Sequence, residues 1–165
     1  MDELSLGYLL GEKYHPLQPE VILATEFEVA VVGGMGAGKS YAACVASFRH
    51  AAKFPGARVL IGRYTYREMV DSTKFLFFKI MEAKGLVKYF DRPRNWNYKE
   101  GTNYGHMING SEFIFSNLDQ KLDRHKNVEY SFIFIDQGEE IPYEVYELLR
   151  QRCRYTICPS TERHI

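Results

Sequence analysis

The chain has 165 residues, 45% of them apolar and 15% aromatic, which suits one hydrophobic core and one domain, residues 1–165. Lys plus Arg and Asp plus Glu each number 21, which excludes the overall positive field of a strongly basic nucleic-acid binder and leaves such contacts to a local basic lip or a neighbouring domain. No apolar run approaches the ~20 residues needed to span a bilayer, and Cys44, Cys153 and Cys158 lack metal-ligand spacing and a signal peptide, so the expectation is a soluble, intracellular protein with reduced thiols.

Residues 1–24 read as an irregular lead-in with a short helix near 19–25. The apolar run 27–32 predicts a first strand. Directly after it stands Gly33-Gly34-Met35-Gly36-Ala37-Gly38-Lys39-Ser40, the G-x-x-x-x-G-K-S spacing of a phosphate-binding loop. Glycines let the backbone curl so that successive N–H groups point at phosphate oxygens. Lys39 is placed to reach the β- and γ-phosphates, and Ser40 offers a hydroxyl to Mg²⁺. The predicted helix 39–53, ended near Pro55-Gly56, turns the positive end of its dipole to the anion. The residues themselves thus predict a nucleotide-binding protein.

Residues 58–63 predict a second strand. Met69, Val70, Leu76, Phe77, Ile80 and Met81 recur near helical spacing within 66–84, with Gly85 as the stop. The aromatic and polar stretch 89–105, with Phe90, Trp96, Tyr98 and Tyr104, predicts an excursion or a β-rich insert on the sheet edge. Asn109-Gly110 predicts a hairpin turn between 104–108 and 112–116. The continuous apolar run 131–135 ends in Asp136 and predicts a central parallel strand. A last helix starts at Pro142 or Tyr143 and ends at Arg152. Strands alternating with helices give an α/β fold whose mainly parallel sheet binds ligands beyond the carboxyl ends of its strands, where Gly33 and Asp136 sit.

Asp136 at a strand end is the oxygen ligand that a nucleotide-bound Mg²⁺ requires. In many ATPases that do mechanical work the next residue is a Glu that polarises water; here it is Gln137. An amide can orient water but cannot take its proton, a contribution of about 10²–10⁴ in rate. Glu139 and Glu140 are the carboxylates that could turn back toward the phosphate, or else are solvated or helix-capping acids before Pro142.

These landmarks together resemble the ATPase domain of the terminase large subunit, the DNA-packaging motor of tailed bacteriophages, across nearly the whole chain. Pro16-Leu17-Gln18 is like the family's adenine-reading glutamine segment, and the phosphate loop follows. Arg63-Tyr64-Thr65 with Ser72 is similar to the R-x-T…S signature. Asn109-Gly110-Ser111-Glu112-Phe113-Ile114-Phe115 with Leu118-Asp119 resembles the "nGs.i.F.gld" hairpin. Ile135-Asp136-Gln137-Gly138-Glu139-Glu140-Ile141 resembles "ieEaeei", and Leu148-Leu149-Arg150-Gln151-Arg152-Cys153-Arg154 resembles "l..RlR".

The resemblance implies a P-loop NTPase of the additional-strand type with a β-hairpin excursion, binding ATP and Mg²⁺ and hydrolysing ATP to package DNA. It implies double-stranded DNA, the portal protein and the small terminase subunit as partners, a homo-oligomeric ring, no membrane, and the host bacterial cytoplasm. It departs from the family at Met35, where many members carry Arg, and at Gln137. The family's C-terminal nuclease has no counterpart before Ile165, which predicts no nuclease activity and a truncated gene product, an isolated fragment or a degenerate prophage relic.

Several side chains carry two readings each. Gln18 reads adenine or is a surface amide; Arg63 and Arg67 sense phosphate or shape the loop, or else form surface salt bridges. Arg124 is an arginine finger for a neighbouring subunit or part of a solvated basic loop. Trp96, Tyr98 and Tyr104 stack on bases or pack at an edge. The five histidines, His15, His50, His106, His125 and His164, share no ligand spacing and predict no metal site.

The sequence therefore predicts an ATPase motor with Gln137, Glu139 and Arg124 as catalytic candidates and Ser40 and Asp136 on the metal. Gln18, the loop residues Gly33 to Ser40 and Arg63 are the nucleotide contacts. A hydrolysis-deficient binding and assembly module is the second reading, and a small-molecule kinase, lacking an Arg-rich lid, the third.

Overall fold

A computed structural model describes residues 17–91, 103–119 and 122–154. Its sheet is built around strand β1, Arg58–Arg63, in which only Arg58 is exposed, as expected of a strand covered on both faces. β1 pairs in parallel with β3, Glu112–Asn117, and on its other side with β4, Phe132–Ile135. Short β2, Tyr104–His106, lies antiparallel on β3. The result is an α/β fold with a mixed four-stranded sheet in the order β2-β3-β1-β4.

Alternation along β1 sorts the core into two layers. Val59 and Ile61 join Phe113 and Phe115 against helices α2, Lys39–Lys53, and α3, Phe75–Ala83. Leu60 faces the other way, onto Val145 and Leu149 of helix α4, Tyr143–Arg152. The short helix α1, Gln18–Leu23, packs its Ile22 into the α2 layer. Gly62 is required by contact: a Cβ there would lie 2.6 Å from Leu118 Cδ1. Among the described residues, no helix is long and apolar enough to cross a membrane.

Two expectations need correction, and a third is met with a local departure. Residues 27–32 form no strand, and Val32 is 92% exposed. A strand exists only through a ladder, and 27–32 forms none with any of the four strands, the outer edge of β4 included. The segment is tied instead to α4 by side chains: Glu28 Oε1 accepts from Arg150 Nε at 2.9 Å and from the Tyr146 hydroxyl, and the Arg150 guanidinium lies 5.8 Å from the Phe27 ring centroid. Second, β4 is an edge strand, like β2, rather than a central one, and all four of its residues are only half-buried. Beyond its ladder with β1, the chain beside it adds a parallel bridge between Tyr130 and Cys153.

Third, the helix expected over 66–84 is not uniform. An α-turn, Tyr66–Glu68, capped by Thr65, passes into a π-helical stretch, Met69–Lys74, and then into α3. The hairpin does form as expected: Gly110 adopts φ +82°, and Asn109 Nδ2 donates to the Ala51 carbonyl at 2.8 Å. Phe90 bridges Met107, while Trp96 and Tyr98 lie outside the described residues, as do Cys158, His15 and His164.

His125 closes the turn before β4 from inside. Its Nδ1 lies 2.8 Å from the Tyr130 hydroxyl and its Nε2 3.2 Å from Ser116 Oγ. Burial, helped by the charge of Arg124, pushes its pKa down to about 4. His50 is likewise pushed down to about 4, first by burial and then by Lys53 and Arg49. Below the usual 6.5 of an unfolded histidine the unfolded chain takes up protons that the native chain refuses. The stability contributed by these imidazoles is therefore complete above pH ~6.5 and lost as pH falls toward 4. Ring titration of His50 and His125 by NMR should give midpoints far below 6.5, with the melting temperature falling across that window; midpoints near 6.5 would contradict their burial.

Candidate nucleotide and metal site

Because β1 and β4 run parallel, their carboxyl ends emerge at one edge of the sheet. The Asp136 N–H donates to the Gly62 carbonyl at 2.9 Å, which fixes the residue after β4 beside the last residue of β1, Arg63. Asp136 is only 8% exposed, so its carboxylate needs donors. Ser40 Oγ donates to Oδ1 at 2.8 Å, Thr73 Oγ1 donates to Oδ2 at 2.6 Å, and Arg63 Nη1 stands 4.0 Å from Oδ2. Residues from the loop, the π-helical stretch, β1 and β4 thus meet on one carboxyl group.

The loop is shaped by left-handed glycines, Gly36 at φ +79° and Gly38 at φ +75°. Gly38 is also the N-cap of α2, so the backbone turns directly into a helix N-terminus, the positive end of its dipole. Lys39 folds back across the loop: its Nζ donates to the carbonyls of Gly33 at 2.6 Å and Gly34 at 2.9 Å. Gln18, from α1, donates through Nε2 to the Gly38 carbonyl at 3.3 Å. A cavity of about 230 Å³ lies here, between Leu17, Gln18 and Val21 of the lead-in, Val31 and Val32 just before the loop, and Lys39 within it. Met35 is fully exposed on the loop.

The other predicted site residues divide. Arg63 is nearly buried; it pairs with Glu68 at 3.8 Å, and its Nη2 donates to the side-chain oxygen of Gln137. Gln137 stands at φ +55°, the one non-glycine residue with positive φ among the described residues, a conformation that costs a side-chain-bearing residue roughly 1–2 kcal/mol and is held here by Arg63. Glu139 and Glu140 are exposed in a 3-10 turn, Gly138–Glu140. Arg124 is also exposed and donates through Nη1 to Asn117 Oδ1 at 3.0 Å. That contact anchors it at the carboxyl end of β3, two strands away from β4. Arg67 pairs with Asp71 at 3.6 Å on the surface, and Tyr104 stacks beside His106 on edge strand β2.

Thr73 was missed by sequence reading, which singled out the exposed Ser72 instead. A signal existed: Thr73 lies four residues from Met69 and four from Phe77 on the apolar face, where a hydroxyl must find a partner.

The donor set suits Mg²⁺. One carboxylate and one hydroxyl beside a glycine-rich loop match a cation that keeps several waters and takes substrate phosphates as ligands. Among the described residues no group of three or more His, Cys, Asp or Glu side chains forms a metal cage. A larger cavity, about 570 Å³, opens at the amino end of β1 between Arg58, Asn127, Glu129 and Arg152. It is the weaker candidate, since ligands of parallel sheets bind at the opposite edge and its Arg58 and Glu129 are already paired with Glu112 and Arg154.

The two kinds of loop glycine make a contrast that can be measured. A Cβ on Gly38 would lie 2.2 Å from Gln18 Nε2 in a left-handed backbone, whereas one on Gly34 would meet nothing within 4 Å. Gly38→Ala should lose about 1–2 kcal/mol of unfolding free energy, and Gly34→Ala should stay within about 0.5 kcal/mol of wild type. Equal effects in chemical denaturation would contradict the loop geometry.

No protein-family model matches the chain, and no curated protein matches it. The residues and their geometry therefore carry the functional assignment.

Proposed function

We propose that the chain is a Mg²⁺-dependent ATP-binding domain of the P-loop type that hydrolyses ATP to drive DNA translocation, in the manner of a terminase large subunit. The observation that carries this reading is the 2.8 Å bond between Ser40 Oγ and Asp136 Oδ1, formed across 96 positions of sequence. It joins a G-x-x-x-x-G-K-S loop to an acidic strand end, the two halves that a magnesium–nucleotide site needs.

In this reading each group has a task. Lys39 leaves the Gly33 and Gly34 carbonyls for the β- and γ-phosphates, a short-range exchange of acceptors by a mobile cation. The α2 N-terminus and the N–H groups of the loop take the remaining phosphate oxygens. Ser40 and Asp136 hold Mg²⁺, which when bound offsets the negative charge of the phosphate oxygens. Leu17 and Val21 offer an apolar wall to the base, and Gln18 an amide to its edge. With Gln137 engaged by Arg63, Glu139 is the carboxylate assigned to water activation, and Arg124 serves a neighbouring subunit in a ring. Double-stranded DNA, a portal protein and a small terminase subunit are the proposed partners, in the host bacterial cytoplasm.

A second reading is favoured by the same Arg63–Gln137 contact. A site whose residue after Asp136 is an amide, pinned in a left-handed backbone, suits nucleotide binding with negligible turnover. Such a chain would act as a nucleotide-controlled assembly module.

Lys39→Ala should weaken ATP binding by at least tenfold in an equilibrium titration while the chain stays folded; unchanged affinity would remove the phosphate-loop assignment. Hydrolysis separates the two readings. Under the motor reading Glu139→Gln lowers steady-state turnover by about 10²-fold or more at unchanged ATP affinity. Gln137→Glu gains little, because Arg63 would pair with the new carboxylate. ATP binding without turnover in the wild-type chain, with any ring-forming partner present, would select the assembly module.

A further inference from the structure

Two hydroxyls hold Asp136, and only one belongs to the loop. Ser40 Oγ donates to Oδ1 and Thr73 Oγ1 to Oδ2. Thr73 is fully buried between Met69 and Phe77, which are fully buried too. A threonine inside a helix ordinarily turns its hydroxyl back to a carbonyl of the preceding turn. Here the single O–H is spent on Asp136, and a hydroxyl has only one proton to donate. The residue lies in the π-helical stretch Met69–Lys74, and π-turns inserted into α-helices recur at functional sites.

The two hydroxyls part company once the nucleotide reading above is adopted, on which this inference rests. Ser40 then has a second demand on its oxygen as a metal ligand. Thr73 has none, and it shares its carboxylate oxygen, Oδ2, with the Arg63 guanidinium 4.0 Å away. We infer that Thr73 is a positioning residue for Mg²⁺: by holding Oδ2 it leaves Oδ1 as the oxygen turned toward the metal shell. The affinity of the site for the metal–nucleotide pair thereby depends on a helix whose hydroxyl is committed to Asp136. Partners that orient a ligating group are typically worth 10–100-fold in metal affinity.

The test uses the full chain and ATP, titrated once with excess Mg²⁺ and once with EDTA. Thr73→Val keeps the shape and deletes the hydroxyl; Thr73→Ser keeps the hydroxyl. The expected result is that Thr73→Val weakens binding in Mg²⁺ by about tenfold or more and leaves binding in EDTA unchanged, while Thr73→Ser restores the Mg²⁺-dependent affinity. In an Asp136→Asn background the Thr73→Val effect should largely vanish, which a merely structural role would not produce. Should Thr73→Val fold poorly, Thr73→Ala, which also deletes the hydroxyl, takes its place in the same titrations and in the Asp136→Asn background, with the same expected results. Wild-type binding of ATP with equal loss in Mg²⁺ and EDTA, or with no loss, overturns this inference alone. No nucleotide binding by the wild-type chain overturns the functional reading and this inference with it.

Discussion

One buried carboxylate organises the carboxyl edge of this sheet. Asp136 is ionisable and nearly sealed from water, and a group of that kind is tolerated only where donors replace its hydration. The chain supplies them from three directions: Ser40 at the start of α2, Thr73 from the π-helical stretch and Arg63 from the end of β1. Those elements therefore cannot move independently. Losing any one donor leaves charge inside the protein less well matched than before, and the loop 33–40 is held at the sheet through the Ser40–Asp136 bond, the pair proposed to take the cation.

The parallel pairing of β4 on β1 makes this convergence possible. It brings the residue after β4 beside the residue that ends β1, while α2 packs over the layer formed by Val59, Ile61, Phe113 and Phe115. Arg63 then serves three neighbours at once, Glu68, Asp136 and Gln137. Ser40, Thr73 and Arg63 are already oriented on Asp136, whereas Lys39 is held on the Gly33 and Gly34 carbonyls and under the proposed reading must leave them for phosphate. The same Arg63 takes up the Gln137 side-chain oxygen, so under the proposed reading nucleotide binding and hydrolysis would be separable.

Much of this was legible in the sequence. The loop spacing, the hairpin at Asn109-Gly110 and the bounds of α2, β1 and α4 follow from local rules: glycine conformations, turn chemistry and apolar periodicity. The placement of 27–32 did not follow. Its apolar residues satisfy a strand pattern, but pattern describes a face and not a partner, and the ladder it would need is absent from the described residues. The edge position of β4 was hidden for the same reason, because a short apolar run does not reveal how many neighbours it has. Thr73 and the Arg63–Gln137 contact depend on side chains from distant elements meeting, with separations of 63 and 74 positions, and no local rule reports such meetings.

The central claim is that loop and strand end form one magnesium–nucleotide site at Ser40 and Asp136. It is tested most directly by replacing Mg²⁺ with paramagnetic Mn²⁺ in the presence of ATP and following the broadening of assigned backbone amide signals. Broadening centred on Ser40, Asp136 and Thr73, dependent on ATP and reversed by excess Mg²⁺, is the predicted result. Sharp signals at those residues under saturating Mn²⁺ and ATP, or broadening centred elsewhere on the chain, would contradict it.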